Sequence, residues 1–206
     1  MKQLTSTLAA LLLVMTAAGC QKSPEQTATV EQTATVSTST TAPLAQSAST
    51  PATAAYDLQF LDTMSAHHTS AVDMAKMAQG KIQQRQLKKL VAKIPGDQQK
   101  EIDQMKAWRD QWYPGASKAD NMAMPGMGGS MNMDMSHMQS MKPGPDFDAM
   151  FIDMMTPHHE GAISMSQDAL GKAQHQEIKT LAQQIIDAQT KEIEVMKKVK
   201  ASLTKP

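Results

Sequence analysis

The chain has 206 residues, with 20 basic and 20 acidic side chains and no net formal charge, so it carries no electrostatic footprint for nucleic acid. Its length suits one domain plus tails. Aromatics make up 3% and there are 19 methionines, so a core must be built from Leu, Ile, Val, Ala and Met. The Leu and Ile residues are spaced for helices and runs of Val, Thr and Tyr are scarce, which predicts an all-α fold.

Residues 1–19 read as an export signal: Lys2 supplies the positive end, Leu8 to Val14 the apolar run, and Ala17, Ala18 and Gly19 the small residues. The run is too short for a comfortable membrane span. Cys20 directly after small residues resembles a bacterial lipobox, which predicts that Cys20 is the lipidated first residue of a lipoprotein. The alternative is an ordinary secreted protein with a stray cysteine. Either way the domain is expected outside the cytoplasm, in the cell envelope, and it has no second cysteine with which to form an internal disulfide. Gln21 is not the Asp associated with inner-membrane retention, so a periplasm-facing site on the outer membrane is favoured. Residues 20–55 are Ser, Thr, Ala, Gln and Pro, with EQTATV written twice, and are expected to be a disordered tether.

The segments 56–74 (YDLQFLDTMSAHHTSAVDM) and 147–165 (FDAMFIDMMTPHHEGAISM) correspond at an offset of 91 residues. Leu90 and Leu181, Ile94 and Ile185, Gln98 and Gln189, Glu101 and Glu192, and Met105 and Met196 correspond without a gap at the same offset. The chain therefore holds two copies of one unit, 56–113 and 146–203, joined by a Met-rich linker, 114–145. Helices are predicted over about 57–79, 83–112, 146–170 and 174–203. Two helical hairpins make a four-helix bundle. Pro95-Gly96 falls inside the second helix and predicts a kink or break there.

On the first helix, at about 100° per residue, His67, His68, Ala71 and Met74 share the inward face of Met64, and Asp62 falls on the outer side. Met155, His158, His159, Ala162 and Met165 repeat the pattern, with Asp153 outside. A bundle interior would thus hold four imidazoles and four thioethers. Imidazole ligates several transition metals, but thioether selects soft ions, so the combination points to copper as Cu(I), with Ag(I) possible by the same softness. The alternative is that these His and Met residues are plain structural core. Glu101 and Glu192 are expected to pair with neighbouring lysines, with an outer-ligand role beside Met105 and Met196 as the alternative.

The linker places Met122, Met124, Met127, Met131, Met133, Met135, Met138 and Met141 at gaps of two to four, with His137 among them. It is expected to be a mobile chain whose thioethers gather around a soft ion. A disordered linker or an oxidation sink is the alternative.

At these residues the chain resembles the domain of unknown function 305 family (DUF305). The family's hallmark is an F-[IL]-x-x-M-x-x-H-H-x-x-A-[IV]-x-M helix, usually doubled, followed by Q-x-x-E-I-x-x-M. Here these are FLDTMSAHHTSAVDM with QKEIDQM following Gln98, then FIDMMTPHHEGAISM with TKEIEVM following Gln189. The resemblance spans nearly all of 56–200. It implies a ferritin-like four-helix bundle, and some members are periplasmic copper-binding proteins that support copper resistance. Its His and Met ligands fall on Met64, His67, His68, Met74, Met155, His158, His159 and Met165.

The expected function is therefore metal binding, as a copper buffer or chaperone that hands its ion to an efflux or chaperone partner. It is not expected to be an enzyme. A di-metal carboxylate oxidase needs Glu-x-x-His, which does not occur, and His159-Glu160 is not followed by the second His of a zinc protease. A metal-free envelope scaffold or stress protein is the main alternative.

Overall fold

The computed structural model describes residues 52–130 and 135–204. The expected signal segment, Cys20, nearly all of the tether, and Met131 and Met133 lie outside the described residues. Four long helices form the bundle: α1 (Ala52–Ala78), α2 (Arg85–Trp112), α5 (Pro145–Lys172) and α6 (Gln176–Leu203). Two short helices, α3 (Met127–Ser130) and α4 (Met135–Ser140), lie in the connection between hairpins. The all-α expectation and the hairpin plan hold. Helix α1 starts earlier than expected and takes in residues 52–55 of the predicted tether. None of the described helices is long and apolar enough to cross a membrane.

Helix α2 runs through Pro95 without a break, so of the expected kink or break the break does not occur. Proline removes one backbone hydrogen bond and costs about 3 kcal/mol in a helix interior. Leu90, Val91, Ile94, Gln98, Ile102 and Met105 are buried along one face of this helix, on both sides of the proline. That continuous buried stripe outweighs the local penalty.

Each hairpin turn is held by a carboxylate from the other hairpin. Asp148 on α5 accepts from the backbone N–H of Gln83 (2.9 Å) and Gln84 (2.7 Å) at the start of α2. Asp57 on α1 accepts from Gln174 (2.9 Å) and His175 (3.0 Å) at the start of α6. Both carboxylates are fully buried. Neither helix has a side-chain cap from its own N-cap residue, so these distant aspartates satisfy the first N–H groups and favour the positive helix end. The two hairpins are thereby locked in register.

The connection is docked, where a mobile chain was expected. The backbone N–H of Ala119 donates to Asp62 (2.8 Å), and that of Asn121 to the Thr63 hydroxyl (2.8 Å). Gly126 has φ +85°, and a Cβ placed on it would stand 2.2 Å from the Gly161 carbonyl oxygen of α5. Only glycine permits that approach. Lys81 donates to the carbonyls of Met138, Gln139 and Met141 at 2.7–3.1 Å, tying down the end of α4. Asp62, placed outside by the helical wheel, is buried beneath this segment and bound by Arg109 Nε at 2.6 Å.

Candidate metal centre

All four histidines of the repeated motif are buried, at 0–1% exposure. They follow helical spacing on α1 and α5, which place the two pairs in the bundle interior. His67 and His158 meet across those helices with ring centroids 3.7 Å apart, tilted by 39°. His68 lies 6.4 Å from His67, and His159 lies 6.5 Å from His158. Burial, followed by the neighbouring imidazoles, pushes His67 down to about 3 and His158 well below the usual histidine range. These two rings are therefore neutral at physiological pH, the form that ligates metals.

Glu101 and Glu192 do not pair with lysines as expected. The carboxylate of Glu101 meets His68 Nε2 at 2.8 Å, and that of Glu192 meets His159 Nε2 at 2.7 Å. Each glutamate reaches from the second helix of a hairpin to the first. Their side chains are 23% and 15% exposed, so the outer edge of the histidine layer is acidic. The Nδ1 atoms of His68 and His159 and both ring nitrogens of His158 are buried with no hydrogen-bond partner. Buried polar atoms are nearly always partnered, so this many bare imidazole nitrogens in one layer calls for an explanation. Gln98 and Gln189, buried one turn before the glutamates, also keep a bare Oε1.

The thioethers flank this layer in two groups. Met64, Met105 and Met165 belong to one buried apolar cluster, with Met124 and Met127 of the connection. Met74, Met155 and Met196 belong to the other, with Met138. Each bundle trio maps onto the other at the offset of 91 residues, and each draws from three helices. All six sulfur side chains are fully buried. Of the remaining linker methionines, Met122 is 53% exposed, while Met135 and Met141 are partly buried against the second cluster. His137 is exposed on α4. Met105 and Met196 thus stand beside the motif methionines, a position that the sequence repeat hinted at.

Among the described residues, no three His, Cys, Asp or Glu side chains converge closely enough to hold a metal ion. The buried thioethers are the other donors close at hand in this interior. The donor set of neutral imidazole and buried thioether fits a soft ion and is a poor match for hard divalent cations, which demand oxygen.

The fold and this interior define a helical-bundle protein whose centre is lined with histidine and methionine. The chain belongs to the DUF305 family, a domain of unknown function, whose model matches residues 57–200. It is similar to the structure of CopM in the Cu(I)-bound form, at 32% identity and a TM-score of 0.61, covering 72% of this chain and 98% of that one. CopM structures with Cu(II) bound (34% identity, 71% of this chain and 96% of that one) and with Ag bound (32%, 72% and 98%) match as well, each at a TM-score of 0.61. A DUF305 protein from Streptomyces coelicolor matches at 26% identity and a TM-score of 0.63, covering 72% of this chain and 92% of that one. No curated protein matches the chain.

Proposed function

We propose that this protein binds Cu(I) in the bundle interior as a buffer or chaperone of the cell envelope, and that it performs no turnover. The observation that carries this reading is the layer of buried, unpartnered imidazole nitrogens flanked by two equivalent trios of buried thioethers. Similarity to CopM, whose structures hold Cu(I), Cu(II) and Ag, supports it. Ligands come from Met64, His67, His68, Met105 and Met165 on one side and from Met74, Met155, His158, His159 and Met196 on the other. Silver follows by softness.

The connection divides into two roles. Met124, Met127 and Met138 complete the two interior groups. Met122, Met135, Met141 and His137, nearer solvent, take up the ion first and loosely. Met131 and Met133 extend this set. Lipidation at Cys20 keeps the domain at the outer membrane, facing the periplasm, and an efflux or chaperone partner receives the ion.

Anaerobic titration of the full chain with Cu(I) against a chromophoric chelator, with Zn(II) alongside, tests the reading. Several Cu(I) ions are retained against the competitor and zinc is held weakly. Changing His67, His68, His158 and His159 to Ala abolishes the tighter class of sites. Tight binding that survives this change places the ligands elsewhere.

A second reading, a metal-free scaffold, is favoured by one observation: the six interior methionines sit in continuous apolar clusters, as core methionines do. Failure to compete for Cu(I) moves this reading to first place.

A further inference from the structure

The two histidines of each pair are held differently. His67 and His158, the first of each pair, meet ring against tilted ring across α1 and α5. His68 and His159, the second of each pair, each face a glutamate 33 residues further along the chain, on the partner helix of the same hairpin. The same contact forms twice, at 2.8 and 2.7 Å, once in each hairpin.

We propose that Glu101 and Glu192 are positioning residues that fix His68 and His159 as Nε2–H tautomers, so that each presents Nδ1 as its donor atom to the interior. Two constraints select the same tautomer. An ionised carboxylate can only accept a hydrogen bond, so the nitrogen facing it carries the proton. Nδ1 of each ring is buried with no partner, so a proton there would be a buried donor without an acceptor. Neither constraint refers to a metal. The lone pair therefore sits on Nδ1 before any ion arrives, and the ring cannot turn without breaking its bond to the carboxylate.

The metal consequence rests on the Cu(I) reading above. A carboxylate behind the imidazole orients the ring and strengthens its donor nitrogen, and the loss of such a partner lowers metal affinity by about 10–100-fold. The second residue of each His-His pair is thus a preset ligand.

The test uses the full chain with 15N-labelled histidine, metal-free, read by long-range proton–nitrogen NMR correlation. Both His68 and His159 are expected as Nε2–H tautomers. Glu101→Leu releases His68 alone and Glu192→Leu releases His159 alone, each with a Cu(I) affinity lower by about 10–100-fold. Glu101→Gln retains the tautomer and most of the affinity, because the amide oxygen still accepts. Nδ1–H tautomers in the unaltered protein overturn the proposal without any variant having to fold. Leu variants that fold, judged by circular dichroism, yet keep both tautomer and affinity overturn it too. Fixed Nε2–H tautomers in a protein that retains no Cu(I) contradict the copper reading and uphold the tautomer assignment.

Discussion

At positions 91 apart, the first hairpin carries Asp57, Met64, His67, His68, Gln98, Glu101 and Met105, and the second carries Asp148, Met155, His158, His159, Gln189, Glu192 and Met196. At the ends the two part company. Trp108, Trp112 and Tyr113 correspond to Val199, Leu203 and Thr204, and Tyr56 to Phe147. His175, which takes the place of Gln84, stacks on Trp112 with centroids 3.8 Å apart and bonds Asp57 through Nδ1 at 2.6 Å. The two copies are identical at the His, Gln and Glu positions of the histidine layer, at the methionines that flank it and at the two capping aspartates. They differ at the hairpin ends, in side-chain bulk and in the contacts that Tyr56 and His175 add to Asp168 and Asp57. Filling volume tolerates exchange, whereas capping a helix end or presenting a nitrogen fixes both residue type and position.

The largest expected effect tests the crossed caps. Asp57→Ala and Asp148→Ala each leave buried N–H groups without acceptors and lower unfolding free energy by about 3 kcal/mol or more. Asp57→Ala costs the more, because His175 also loses its partner. Urea titrations of the two variants measure the difference, and equal costs would remove His175 from the cap.

The next tests the histidine layer through pH. His67 and His158 have folded-state pKa values below the unfolded histidine value, so the folded state binds fewer protons. Stability is then fully present above about pH 6.5 and is lost as pH falls toward the depressed folded values. The slope is up to about 1.4 kcal/mol per pH unit for each histidine. His67→Phe flattens the curve. A curve equally steep in that variant would place the proton uptake elsewhere.

A smaller effect tests whether the connection belongs to the bundle. Gly126→Ala meets both an unfavourable φ and the Gly161 backbone, and costs about 2 kcal/mol. The connection lifts from α5, so Met124 and Met127 become open to peroxide while Met138, held beside Lys81, stays protected. Mass-spectrometric mapping of sulfoxides reads this directly. The smallest effect belongs to the differing ends. Trp108→Val with Trp112→Leu copies the second hairpin onto the first and costs about 1 kcal/mol, seen as a minor shift in thermal midpoint.

The helices and the inward face of each His-His motif were legible because period and repeat are local properties of a chain. The repeat also marked Glu101 and Glu192, but their partners lay across the hairpin, and nearby lysines on the same helix offered a simpler pairing. Asp57 and Asp148 reach acceptorless N–H groups 117 and 65 residues away, which no local spacing encodes. Gly126 lets two backbones touch, a use that no local pattern around it encodes. Pro95 read as a break because propensity is local and the buried stripe that overrides it is not.

The central claim is that thioether and imidazole share one ion. X-ray absorption of the Cu(I)-loaded full chain carrying Cys20→Ser tests it most directly, since methionine is then the only sulfur in the protein. Sulfur and nitrogen together in the first coordination shell are expected, with the nitrogen contribution falling when His67, His68, His158 and His159 are changed to Ala. A shell of nitrogen and oxygen alone would contradict the claim and return the methionines to the core.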